Sequence, residues 1–115
     1  EMFTASRENL PLISIVINNS CLGMVRQWQT LFYGKRYSNT VLGRKTDFVK
    51  LADAFGLKGE RVTTVQEFEK AFGNAYKANA PYIIDTIIDM DEFVLPMLPP
   101  GGSIEDIITE KQLEE

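Results

Sequence analysis

The chain has 115 residues, 44% of them hydrophobic, with 16 acidic against 12 basic side chains and a formal net charge of -4; it is long enough for one compact domain and too short for two of typical size. The acidic balance and scattered cations argue against a nucleic-acid surface, which needs clustered Lys and Arg to displace counterions. A single cysteine, Cys21, excludes an internal disulfide, the lack of histidine and of any CxxC removes the zinc patterns, and no apolar run is long enough to span a membrane.

Residues 1–9 lack the basic start and apolar core of a signal peptide and read as the second half of a helix that begins upstream. Residues 10–28, LPLISIVINNSCLGMVRQW, organise the rest. Leu12, Ile13, Ile15, Val16 and Ile17, with only Ser14 between them, predict a strand buried on both faces, as in a parallel sheet covered by helices. Asn18 and Asn19 stand at its carboxyl end, where open α/β sheets bind ligands. Two adjacent amides can offer neutral oxygens to a hard cation such as Mg²⁺; equally, they can close a turn or cap the next helix. In that helix Met24, Trp28 and Phe32 recur one turn apart, and periodicity alone makes them a core stripe.

Residues 33–44 form a polar, basic connector of the length used for lids and binding segments. Thr46 or Asp47 caps a short helix in which Phe48, Leu51, Ala52 and Phe55 make one apolar stripe, and Gly56 ends it. Residues 58–62 predict a short strand, polar enough to lie near an edge. Thr64 and Glu67 have capping-box spacing, ahead of a helix with Phe68, Ala71, Phe72, Ala75 and Tyr76 on its buried face. Asn79, Ala80 and Pro81 break that helix and lead into a β-branched strand over residues 82–89. Asp85 inside it reads as an edge-facing or salt-bridged carboxylate, and Asp89, Asp91 and Glu92 read as a solvated acidic turn without the spacing of a calcium loop. Residues 95–102 are a Pro/Gly connector. Ser103, with Asp106 three residues on, caps a last short helix with Ile104, Ile107 and Ile108 on one face, and residues 111–115 read as a frayed end.

This order of elements is α/β with a parallel sheet. Three strands are few for an independent sheet, which predicts a domain truncated on its N-terminal side and an open sheet edge through which the isolated chain associates.

The run Gly23-Met24-Val25-Arg26-Gln27-Trp28-Gln29, with Asn18-Asn19 before it, Phe32-Tyr33 and Arg36-Tyr37-Ser38 after it, and DFVKLADAFGLKG at residues 47–59, resembles the large catalytic subunit of the acetohydroxyacid synthase (acetolactate synthase) family. The resemblance covers nearly the whole chain, in order. It implies the later half of a parallel-sheet thiamine-diphosphate-binding domain, with residues 95–115 as a C-terminal arm that closes over the active-site channel. It also implies decarboxylation of pyruvate and transfer of the two-carbon unit to pyruvate or 2-ketobutyrate, in branched-chain amino-acid biosynthesis. In the family, an Asp of an upstream Gly-Asp-Gly motif, the amide matched by Asn19 and the main-chain carbonyl matched by Cys21 hold Mg²⁺ against the diphosphate. Gly23 and Met24 match the cofactor-side positions, and Met24 and Trp28 match a helix face turned to the substrate channel.

With the upstream Asp and the thiamine-activating glutamate outside this stretch, the isolated chain is expected to be inactive. The resemblance further implies FAD in the longer parent, a homo-oligomer, a regulatory small subunit, 2-keto acid substrates and a cytoplasmic location, or a plastid or mitochondrion in a eukaryote. Two alternatives stay open: a piece of another thiamine-diphosphate 2-keto acid enzyme, such as glyoxylate carboligase or pyruvate oxidase, and a non-catalytic α/β assembly module.

Overall fold

The computed structural model describes residues 1–43 and 46–110. Arg44, which closes the expected connector, and the end expected to fray at residues 111–115 lie outside the described residues. In chain order the elements are α1 (Met2–Arg7), β1 (Ile13–Asn18), α2 (Gly23–Phe32), α3 (Phe48–Ala54), β2 (Lys58–Val62), α4 (Val65–Ala78), β3 (Tyr82–Ile87) and a single 3₁₀ turn at Ile104–Asp106. The three strands form one parallel sheet in the order β1-β3-β2. The last strand in sequence therefore sits in the centre.

Residues on β3 alternate between two faces, and each face has its own cover. Tyr82 and Ile84 pack with Val62 and with Ala71 and Ala75 of α4, while Ile83 packs with Ala52 of α3 and with Leu57. Small residues let the helices close in. A Cβ on Gly59 of β2 would stand 3.0 Å from the Cβ of Ala52, so α3 rests almost on the strand backbone.

The capping box of α4 forms as its spacing predicts. Glu67 N–H donates to Thr64 Oγ1 at 3.2 Å, and the Glu67 carboxylate reaches back to the N–H groups of Thr63 at 2.7 Å and Thr64 at 3.3 Å. These donors hold the Glu67 carboxyl below the usual carboxylate range. Asp47 caps α3 by accepting from Lys50 N–H at 3.2 Å, and Gly56, at φ +73°, follows its last turn.

Four expectations need correcting. β1 is an edge strand covered fully on one side only, with Ile15 and Ile17 on the same sheet face as Ile84 but beyond the cover of α4 and so exposed; β3 is the strand buried on both faces. Leu51 and Phe55 are partly exposed because α3 is too short to bury more than Phe48 and Ala52. Tyr76 is 75% exposed, since the small Ala71 and Ala75 make the contact with the sheet. The final helix is one 3₁₀ turn without an apolar face: Ser103 N–H and hydroxyl both donate to Asp106, Ile104 is exposed, and Ile108 instead pairs with Met97 in a two-residue antiparallel bridge. β2 does lie at an edge, as its polarity predicts.

Among the described residues no helix is long and apolar enough to cross a membrane.

Candidate functional site

β1 ends at Asn18, and the next four residues turn the chain into α2. Both amides of the pair work locally: Asn18 Oδ1 accepts from Ser20 N–H and Asn19 Oδ1 from Cys21 N–H, each at 3.2 Å, around Ser20 at φ +57°. The turn-forming reading of the pair is thus realised. An amide oxygen has a second lone pair, so this bond leaves Asn19 able to accept a cation as well.

Asn19 also explains Gly23. An added Cβ there would lie 2.5 Å from Asn19 Nδ2, so the first residue of α2 has no room for a side chain while Asn19 keeps this pose. The Cys21 thiol is buried and donates to the Met90 carbonyl at 3.5 Å, and burial pushes its pKa up. It is a protonated packing group. Its main-chain carbonyl, in contrast, accepts no hydrogen bond among the described residues. Asn19 and Cys21 thus each keep a neutral oxygen of the kind that Mg²⁺ prefers. No group of three or more His, Cys, Asp or Glu suited to a metal occurs among the described residues.

These groups open onto a cavity of about 620 Å³ at the carboxyl end of the sheet, lined also by Asp47, Phe48 and Arg61. Beneath it runs a polar chain that sequence reasoning did not foresee. Asp85, 0% exposed, accepts from Asn18 Nδ2 at 2.8 Å and from Arg61 Nε at 2.8 Å. Arg61 then donates through Nη2 to Asp47 at 2.9 Å. The odd carboxylate of the central strand is therefore salt-bridged, not edge-facing, and it ties the Asn pair to β2 and to the cap of α3. The Lys50 N–H and then the Arg61 charge hold the Asp47 carboxyl low. The signal available in the sequence was the in-register pairing of Val16, Asp85 and Arg61 across three strands, which needs the strand order to be read.

α2 carries the second cavity, about 500 Å³, mainly apolar, lined by Met24, Val25, Trp28, Gln29, Tyr33 and Arg36. Met24 and Trp28 share one face, as their spacing predicts, and that face is open and not a core stripe: Met24 is exposed, and Trp28 meets Phe32 edge-on at 5.7 Å. The connector after α2 folds back on it. Leu22 N–H donates to Thr40 O at 2.8 Å, Gln29 to Ser38 O at 3.2 Å, and Tyr37 stacks under Arg26 at 4.1 Å. None of the described residues of the segment 95–110 lines this cavity.

A family model described as "Thiamine pyrophosphate enzyme, C-terminal TPP binding domain" matches residues 1–86. The chain belongs to this family. It is 40% identical over 114 residues to a probable acetolactate synthase large subunit of Methanocaldococcus jannaschii, covering 99% of this chain and 19% of that protein. It is 41% identical over 108 residues to the acetolactate synthase isozyme 2 large subunit of Escherichia coli (94% and 20%), and 45% identical over 112 residues to the large subunit of Corynebacterium glutamicum (93% and 18%). The chain thus spans about a fifth of the length of these relatives. Among solved structures, the thiamine diphosphate-dependent 4-hydroxybenzoylformate decarboxylase of Rhodococcus jostii superposes with a TM-score of 0.71 at 28% identity, over 80% of this chain and 17% of that one. A benzoylformate decarboxylase of Polynucleobacter necessarius, 22% identical over 82% of this chain and 18% of that one, superposes equally well, with a TM-score of 0.71, and so shares the fold. The Asn18-Asn19 turn stands at the carboxyl end of β1, the end at which open α/β sheets in general bind ligands.

Proposed function

We propose that this chain is the C-terminal portion of the cofactor domain of an acetolactate synthase large subunit, contributing half of the diphosphate site and one wall of the substrate channel. The observation that carries this reading is the sustained identity, about 40% over 99% of the chain, to a probable acetolactate synthase large subunit. The decarboxylase neighbours share a lower identity over less of the chain, which disfavours another thiamine-diphosphate enzyme. A non-catalytic module would have no use for the family's cofactor domain.

In this reading Asn19 Oδ1 and the Cys21 carbonyl would hold Mg²⁺ at the diphosphate, with the missing oxygens coming from the diphosphate, water and a carboxylate upstream of Glu1. Thiamine diphosphate supplies the electron sink for decarboxylating a 2-keto acid. The chain's own residues bind and orient. Gly23 admits Asn19, Met24 faces the cofactor side, and Trp28 shapes the apolar wall against which the second keto acid, pyruvate or 2-ketobutyrate, is selected. FAD, a homo-oligomeric assembly, a regulatory small subunit, the branched-chain biosynthetic role and a cytoplasmic or organellar location belong to the longer protein under the same proposal.

The test is acetolactate formation from pyruvate with thiamine diphosphate, Mg²⁺ and FAD, comparing the chain with its extended reading frame. Activity confined to the extended protein is the expected result. Inactivity of both would overturn the assignment.

A further inference from the structure

α2 is a helix with little beneath it. It shares few contacts with the sheet or the other helices, in contrast to α3 and α4. Yet its residue Gln27 is only 2% exposed. What buries it is the segment after β3: Gln27 Oε1 accepts from Val94 N–H at 2.8 Å, and Gln27 Nε2 donates to Val94 O at 3.1 Å and to Met97 Sδ at 3.1 Å. One primary amide takes both main-chain groups of one residue, as the partner residue does in a hydrogen-bonded antiparallel pair. Two neighbours extend the seam. The Cys21 thiol donates to Met90 O, and Arg26 grips Asp91 with Nε and Nη2 at 2.6 and 3.1 Å. Partners rise together along the sequence, 21 with 90, 26 with 91, 27 with 94 and 97, so the segment follows the chain from the turn before α2 to the middle of the helix.

A helix held this way is fixed in rotation mainly by its polar contacts. Successive residues are set about 100° apart around the axis, so a twist that displaced Gln27 would carry Trp28 and Met24 with it. We propose that Gln27 is a positioning residue: its clamp on Val94 sets the rotation of α2, and with it the placement of Met24 and Trp28 along their cavity. The consequence for substrate rests on the channel reading given above.

Two substitutions separate the parts. Gln27→Leu keeps the size and removes all three bonds, whereas Gln27→Glu keeps the oxygen that accepts from Val94 and loses the donor. In the full chain, amide hydrogen exchange of Val94 is expected to rise at least about 10-fold in the Leu variant and to stay slow in the Glu variant, with Ile83 and Ile84 of β3 protected in both. Trp28 is the chain's single tryptophan, so its emission reports the same event: a red shift and stronger acrylamide quenching in the Leu variant.

Unchanged Val94 exchange in the Leu variant, with β3 protected, would overturn the clamp. Should the Leu variant lose β3 protection, the Glu variant decides, slow Val94 exchange supporting the clamp and fast exchange overturning it. Loss of β3 protection in both would make Gln27 a stability residue and overturn the positioning role. In the extended enzyme, the Leu variant is expected to raise KM for 2-ketobutyrate about 5-fold with kcat changed less than about 2-fold. Fast Val94 exchange with an unaltered KM would leave the clamp standing and overturn the channel reading alone.

Discussion

A methyl group on Gly23 would collide with the Asn19 amide, and nothing else stands within 3 Å of it. Gly23→Ala is therefore expected to leave the sheet intact and to push Asn19 aside. In the extended enzyme, isothermal titration with thiamine diphosphate and Mg²⁺ should show affinity weakened by about 10-fold, the usual scale for disturbing a group that orients a ligand. Undiminished affinity would remove Asn19 from the metal site. At the other end of the sheet, Tyr82 donates to Glu60, which also accepts from Asn74. Burial and then this bond raise the Tyr82 pKa to about 12, and the Tyr82 and Asn74 donors hold the Glu60 carboxyl low. The signs follow from linkage. The Tyr82 contribution is fully present below the unfolded pKa of about 10 and is lost as pH rises toward 12. The Glu60 contribution is present above the ordinary glutamate range and is lost as pH falls below it. Thermal melts across pH 9 to 12 should decline for the parent and decline less for Tyr82→Phe; parallel curves would contradict the bond.

Elements with their partners close in sequence were legible. The α4 cap needed only Thr63, Thr64 and Glu67, all within one turn, and the Asn18-Asn19 turn needed only residues 18–21. What could not be read depends on partners far along the chain. Asn18 meets Asp85, and Gln27 meets Val94, each 67 residues away. The same distance hid the exposure of β1, because an apolar run does not say whether a helix reaches it. Asp85 joins β1, β3 and β2, and its two charged sides are unequal: it is fully buried, whereas Arg61 is part exposed. Removing Arg61 strands a buried carboxylate, while neutralising Asp85 leaves a cation that water can reach. Arg61→Met should cost about 3 kcal/mol at most, reduced by solvent screening at the guanidinium, and Asp85→Asn about 1 kcal/mol. Urea unfolding of both variants checks the order; a larger loss in Asp85→Asn would refute it.

For the molecule as a whole, the outer edges of β1 and β2 have no strand partner among the described residues, and beside the β1 edge Ile17 is 61% exposed and Ile15 is exposed as well. Such an edge pairs readily with another chain. The isolated chain is expected to self-associate in light scattering at high concentration, and Ile17→Lys to suppress this; a monomeric parent would contradict the prediction. The strand order has a temporal consequence too. β1 and β2 do not pair with each other, and both depend on β3. During synthesis at about 5–20 residues per second, neither has a hydrogen-bonding partner from this sheet until residues 82–87 have left the ribosome. An apolar strand waits for seconds in the nascent chain for β3, and a message cut short of β3 leaves β1 and β2 unjoined to each other.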